Sequence, residues 1–353
     1  MDERRIVRSR LHGLGLWGPS SSSVEAVVGS LTAMQAQEFV PALWSVAQRA
    51  GRTTLAQARE AYDAGAILRT HVLRPTWHFV LPQDIRWLLR ATAHRVQARN
   101  AAWYRQQGLD PALLARATDL VASSLEGVHL TRPEIVASLT RERIEAQAPR
   151  LAGILMHAEL EGVICSGRLR GNHRTYALLD ERAPSGVVPD RSGAIARLAE
   201  RYFATRGPAT LKDFLWWSSL TTGEARAGME AAALERVDVD GRAYWAAGRA
   251  TPPRSPRSPR IDLVQIYDEV MMSYTESRDV LLKVAPEAAT WTGHPHAILL
   301  DGRLIGRWRV TRRSGGVEVH TRLHRSLSPA ERASLEHAVE RYARFEGAAA
   351  TLV

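Results

Sequence analysis

Gly162-Val-Ile-Cys-Ser-Gly-Arg-Leu-Arg-Gly-Asn-His-Arg-Thr-Tyr-Ala-Leu-Leu179 reads as a β-hairpin with a basic tip. β-Branched and aromatic residues occupy its arms, and glycines, an asparagine and three arginines occupy its turn. Working outward, residues 150–161 have helical spacing. Before them Thr131-Arg-Pro-Glu134 fits a capping box with proline inside the first helical turn, opening a helix to about Thr140. Helix, helix, β-hairpin in this order and size is the winged-helix plan, which gives a unit over residues 129–185. After the linker-like Asp180-Glu-Arg-Ala-Pro-Ser-Gly-Val-Val-Pro189 the plan recurs over 190–250. There a helix spans 194–205, Gly207-Pro-Ala-Thr210 turns and caps the next at Leu211, and a third spans 221–233. Residues 235–247 then form a hairpin through Asp240-Gly241. Trp216 and Trp217 read as helix-packing core.

Upstream, residues 1–128 form a first unit with a helical extension. Its centre is Leu31-Thr-Ala-Met-Gln-Ala-Gln-Glu-Phe-Val-Pro41, which follows apolar residues at helical spacing (Val24, Val27, Val28, Leu31, Met34). Pro41 argues against a continuing helix. Gln35 and Gln37 can point the same way only on extended or turning backbone, so the helix is expected to end at about Gln35. Residues 54–63 give another helix, and residues 66–81 a strand pair with its corner at Pro75. Arg69, His71, Arg74, Thr76 and His78 crowd that strand pair more densely than an ordinary core strand would tolerate. Residues 81–128 are helical with a break at Gly108-Leu-Asp-Pro111, and Arg90, Arg95 and Arg99 read as a solvated face. Downstream, Thr251-Pro-Pro-Arg-Ser-Pro-Arg-Ser-Pro-Arg260 reads as a stiff basic linker. A small β-rich module follows over 261–353: a hairpin through Asp301-Gly302, a turn over 311–316, a strand over 317–321 and a closing helix over 328–345. The expected class is α+β, with about three tandem winged-helix units before the β-rich module.

Composition narrows the function. The chain has 353 residues and a formal net charge of +10, which favours a polyanionic partner, nucleic acid first. Lys212 and Lys283 are the only lysines, so few groups could form a Schiff base. Cys165 is the only cysteine, which excludes an intrachain disulfide and a cysteine zinc site and fits a cytoplasmic compartment. No stretch approaches membrane-span length, and no phosphate-binding glycine loop is present. His294-Pro-His296 has no third ligand at motif spacing, so neither metal nor cofactor is expected. Asp268 and Glu269 would diverge on any regular element, so they do not form a two-carboxylate site.

Taken together, Leu14-Gly-Leu-Trp17, Gln35-Ala-Gln37, Leu73-Arg-Pro-Thr-Trp-His78, Gly207-Pro-Ala-Thr210 with Asp213-Phe-Leu-Trp216, Asp268-Glu269 with Tyr274 and Arg278, and Asp301-Gly-Arg-Leu-Ile-Gly306 resemble the winged-helix DNA glycosylases of the AlkZ and YcaQ type. The Gln-x-Gln spacing matches the AlkZ-like branch; the YcaQ-like branch carries Gln-x-Asp. The resemblance implies monofunctional excision of N7-alkylguanine, including bulky natural-product adducts and interstrand crosslinks, by a protein whose winged helices form a basic channel for duplex DNA.

On that reading Gln35 and Gln37 position water, and Arg69, Arg74, Thr76 and His78 line the same region. Arg168, Arg170, His173 and Arg174 on one wing, with Arg307, Arg309, Arg312 and Arg313 on the last hairpin, hold phosphates or enter a groove. The partner is double-stranded DNA carrying alkylated purines, and nothing demands more than a monomer. Three winged-helix units and a net charge of +10 would also suit a non-catalytic DNA-binding regulator. A protein that sequesters a toxin or its adduct without cutting is a third reading. Gln35-Ala-Gln37 beside Arg74-Pro-Thr-Trp-His78 separates the first reading from the second, because a regulator has no need of it.

Overall fold

The structure, a computed structural model, describes residues 2–248, 258–281, 293 and 295–353. Two helices, α1 (Glu3–Gly13) and α2 (Val24–Leu31), precede a short strand β1 (Ala33–Gln35), then α3 (Phe39–Ala47) and α4 (Leu55–Ala64). Strands β2 (Leu68–Val72) and β3 (Arg74–Val80) follow, and β1 pairs with β3 to complete a sheet ordered β1-β3-β2. The long α5 (Pro82–Gln106) and then α6 (Pro111–Leu125) lead to β4 (Leu130–Thr131), α7 (Arg132–Arg141), α8 (Arg150–Leu160), β5 (Ile164–Ser166) and β6 (Thr175–Leu178). These last strands form the sheet β4-β6-β5, so the 162–179 hairpin gains a third strand from the residues ahead of α7. The Thr131/Glu134 capping box is present as read.

A short α9 (Leu179–Arg182) leads to α10 (Arg191–Arg206), α11 (Leu211–Ser218), α12 (Thr222–Ala231) and the two-stranded ribbon β7 (Glu235–Val239) and β8 (Arg242–Ala246). Helix α10 starts three residues before its expected position because Asp190 caps it through Gly193 N–H. The expected linker lies mostly at residues 251–257, outside the described residues. Beyond it come β9 (Ile261–Val264), α13 (Glu269–Met272), β10 (His296–Leu300), β11 (Arg303–Arg313), β12 (Gly316–Leu323), α14 (Pro329–Glu346) and β13 (Ala350–Leu352), whose strands form a five-stranded sheet. At the turn between β10 and β11, Gly302 has φ 78°, and a Cβ there would stand 2.5 Å from the Leu11 side chain. Only glycine fits against α1 at that point.

Local backbone corrects several expectations. Helix α2 stops at Leu31, before Gln35, because Thr32 turns with φ 68° and the next three residues pair with β3. Pro41 lies inside the first turn of α3, where a missing N–H has no helical partner to lose. The corner of the β2–β3 hairpin is Leu73, φ 64°, rather than Pro75. Pairing passes from His71 opposite Trp77 to Val72 opposite Arg74, so Pro75 and Thr76 sit in a bulge that needs no proline donor. Strand β11 continues through Thr311, Arg312 and Arg313, and the turn falls at Ser314-Gly315. Trp217 is fully buried, whereas Trp216 is 43% exposed and is not a core residue.

Three buried arginines lock residues 265–281 against the N-terminal half. Arg49 grips Asp268 with two bonds of 2.8 Å, and Arg10 donates to Ser277 at 2.6 and 3.0 Å while lying over the Tyr274 ring at 3.8 Å. Arg206 donates to Glu269 at 2.7 Å and to the carbonyls of Leu31 and Ala33 at 3.0 Å each. Asp268 and Glu269 therefore diverge toward different arginines, as their adjacency requires. Removing one member of a buried pair leaves the other charge uncompensated, which costs about 3–5 kcal/mol. Glu269→Gln should lower the unfolding free energy by about that much in urea titrations. A loss below about 1 kcal/mol would show that the Glu269–Arg206 pair does not hold this part of the fold.

Candidate functional site

Gln35 faces His78 across β1 and β3, and His78 faces Thr70 across β3 and β2, so these three side chains share one face of the sheet. Glu269 lies at the open edge of β1, where its Oε1 accepts the Gln35 N–H at 2.9 Å. Its Oε2 accepts from Arg206, from Ser273 Oγ at 2.8 Å and from Trp217 Nε1 at 3.0 Å. Burial alone would raise the Glu269 pKa, but the Arg206 and Arg74 guanidiniums outweigh it and hold the carboxyl at about 2. The edge of β1 is closed by a fixed negative charge.

The two glutamines are not equivalent. Arg74 Nη2 donates to Gln35 Oε1 at 2.7 Å, and its Nη1 donates to Met272 O at 3.2 Å. A guanidinium has only donors, so the Gln35 amide oxygen must face it and the amide NH2 must face away. Gln35 is 3% exposed and held on both its backbone and its side chain. Gln37 is half-buried, and its Oε1 is buried with no hydrogen-bond partner among the described residues. Arg69 pins the backbone between them, donating to Ala36 O at 2.9 Å and Gln37 O at 3.4 Å. Arg69 and Arg74 are both lowered by burial to about 10 and stay charged at neutral pH.

His78 is buried with Nδ1 2.9 Å from Thr76 O, an arrangement that requires a proton on Nδ1 and leaves Nε2 as a bare lone pair. That Nε2, Thr70 Oγ1 and Thr76 Oγ1 are all buried without partners among the described residues. Burial, with the nearby Arg74 charge second, drives His78 down to about 3, so it is neutral at pH 7. The motif thus has acceptors without partners at Gln37 and His78, and an amide donor at Gln35. Trp216 stands near it, its ring 5.8 Å from the Arg74 guanidinium.

The expected DNA-contacting residues divide. Arg74 and His78 are buried in the motif itself, not on a surface. Arg69, His173 and Arg174 meet in a cavity of 240 Å³ with Trp77, Arg132 and Tyr176. Arg170 is tied to Glu134 at 2.5 Å and to His129 O at 2.7 Å, while Arg168 is exposed on the same hairpin. Alternation along β11 puts Arg307, Arg309 and Arg313 on one face. Arg313 pairs with Glu318 at 3.2 Å. Arg312 points the other way and is neutralised by Glu346 of α14 at 2.6 Å, so it does not belong with the other three. Arg132 and Arg206 are not singled out in the sequence, each being one charge among many until the fold brings it beside the motif; Glu269 is quoted there only within the family resemblance and as a carboxylate set aside with Asp268.

His78 gives the site a pH signature. Its folded pKa lies below that of an unfolded histidine, so on acidification the unfolded chain takes up a proton first. The stabilisation is complete above pH 6.5 and is lost as pH falls toward about 3. At pH 5 the loss from this group is about 2 kcal/mol. Urea unfolding of His78→Gln should therefore show a shallower fall in stability between pH 7 and pH 5 than wild type; parallel curves would place His78 in a solvated setting.

Comparison with known proteins identifies the family. A family model for AlkZ-like DNA glycosylases matches residues 28–345. An interstrand DNA cross-link repair glycosylase from Streptomyces sahachiroi is 28% identical over 336 residues, covering 87% of each chain. The solved structure of the Streptomyces sahachiroi DNA glycosylase AlkZ superposes with a TM-score of 0.83 at 23% identity over the whole of both chains, a likeness of fold. Among the described residues no helix is long and apolar enough to cross a membrane, and no group of three or more His, Cys, Asp or Glu side chains could hold a metal ion. The chain belongs to the AlkZ-like family of DNA glycosylases.

Proposed function

We propose that this glycosylase hydrolyses the N-glycosidic bond of N7-alkylguanine in duplex DNA, with Gln35 and Gln37 at the reacting centre. The observation that carries the reading is the asymmetry of the two amides: Gln35 Oε1 is bound by Arg74, while Gln37 Oε1 is buried and unpartnered. N7 alkylation makes the guanine cationic. When the glycosidic bond breaks, its electron pair goes to the base, which leaves neutral and needs no strong acid. The sugar becomes oxocarbenium-like and requires a nearby negative dipole and a placed water. Gln37 supplies the carbonyl dipole, and its oxygen orients the water by accepting a hydrogen bond from one of its O–H groups. The Gln35 amide NH2 donates to that water's oxygen. The water oxygen bonds to C1′ and releases its proton to solvent, since an amide is no base near neutrality. No lysine is needed, and Lys212 is engaged with Glu276 at 2.7 Å.

In this reading Arg69, His173 and Arg174 bind backbone phosphates on one side, and Arg307, Arg309 and Arg313 on the other; Thr76 and His78 support the reacting centre. The name of the Streptomyces relative supports extension to interstrand crosslinks, which, like bulky adducts, are too large for a snug flipped-base pocket and require an open cleft. The tandem units over 129–185 and 190–250 act as winged helices against the duplex, and the protein works as a cytoplasmic monomer.

Single-turnover release of N7-methylguanine from methylated duplex DNA tests the proposal. Wild type should release the base, and Gln37→Ala and Gln35→Ala should each lose about 10²–10³-fold in rate while duplex affinity stays within about twofold. A wild-type protein that releases neither this base nor a bulky N7 adduct would instead be a binder. Arg174→Ala should weaken all duplexes alike and reduce the slope of log K against log salt by about 0.9.

A further inference from the structure

Trp77 separates two cavities, and the proposed reaction uses only one of them. On one side the Arg69 guanidinium lies 4.2 Å from the indole and Arg132 5.6 Å from it, forming a wall of the basic cavity. On the other, the His71 ring packs at 4.5 Å, and a second cavity of 340 Å³ opens among His71, Pro75, Asn100, Trp103 and Met156. Glu159 holds His71 through Nδ1. Among the described residues the Asn100 amide has only a weak partner, the Met156 sulfur at 3.6 Å, and can still bond to another polar edge. One cavity is suited to an anion. The other is suited to a flat neutral ring with polar edges.

We infer that the two cavities together bind a single unstacked nucleotide of the DNA beside the damaged one. Its phosphate lies at Arg132 and Arg174, and its base lies in the slot walled by Trp77 and Trp103. The inference rests on the DNA-glycosylase reading and adds a second nucleotide site to it. Charge complementarity selects the occupant: a phosphate needs the arginines, and an aromatic base needs the rings. In a free nucleotide or an unstacked one, phosphate and base are linked across the short distance that one indole spans. A base still in its stack exposes only its edges and cannot fill the slot. Between the two sources the fold favours DNA, because Arg69 joins the basic cavity directly to the backbone of Gln37.

Fluorescence anisotropy with a short duplex carrying one unpaired nucleotide, against the same duplex fully paired, tests this. Wild type should prefer the unpaired nucleotide by about tenfold, the scale of one base stacked on an aromatic side chain. Ala152→Trp fills the slot from its α8 wall without emptying the core. It should abolish the preference while paired-duplex affinity stays within about twofold, and Trp103→Ala should do the same. A 5-iodouracil at the unpaired position should crosslink to Trp77 or Trp103. Survival of the preference in a folded Ala152→Trp protein, or a crosslink mapping elsewhere, would overturn the assignment. So would tight binding of deoxyadenosine monophosphate by a protein with no preference for unpaired DNA. Because affinity is read without excision, a protein that releases N7-methylguanine but shows no preference loses the slot and keeps the glycosylase.

Discussion

The Glu269 carboxylate, buried at the free edge of β1, holds the site together. It receives a backbone N–H from Gln35, a guanidinium from Arg206, an indole N–H from Trp217 and a hydroxyl from Ser273 of its own short helix, which spend its acceptor capacity on three other pieces of chain and its own. Burying an ion pair costs several kcal/mol in lost hydration and often stabilises a fold less than an apolar substitute would. What this pair gives in return is placement: a buried strand edge with no neighbouring strand is closed by a charge that no rotation of a nearby side chain can replace. Arg206 also binds the carbonyls of Leu31 and Ala33, so the tight turn at Thr32 is fixed from the same point.

That rigidity lets two identical side chains take opposite parts. A lone glutamine amide can rotate to present oxygen or nitrogen. Arg74 removes that freedom from Gln35, while Gln37, two residues on, keeps an unused acceptor. His78 adds a second neutral acceptor, its tautomer set by Thr76 O. Dipoles fixed before the substrate arrives need not reorganise as charge develops, which is where an amide pair can matter to a reaction that asks little of an acid or a base.

Features with a local cause were legible in the sequence: the Thr131/Glu134 box, the Asp240-Gly241 and Asp301-Gly302 turns and the basic hairpin over 162–179. Each depends on residues a few positions apart. The end of α2 was misjudged because the pairing of β1 with β3, about 45 residues away, ends it, and apolar spacing alone continued through Met34. The tryptophans 216 and 217 look alike in composition, and only the packing of α11 decides which is buried. Arg312 and Arg313 likewise differ only in the face of β11 they occupy. Apolar spacing and Pro41 mark the stretch around Gln35 and Gln37, but only family likeness gives the two glutamines a role. It did not reveal that Asp268 and Glu269 bind Arg49 and Arg206.

The separation of Gln35 from its supporting carboxylate, 234 residues along the chain, bears on biosynthesis. At ribosomal speeds of about 5–20 residues per second, the N-terminal sheet is outside the ribosome for tens of seconds before Glu269 exists. Throughout that interval the edge of β1 has no carboxylate against it, and Arg206, once made, waits in the same way. The N-terminal elements can fold early, but the arrangement at Gln35 is completed only when the last third of the chain docks. A truncated product of translation would therefore retain much of the fold and possess no finished centre.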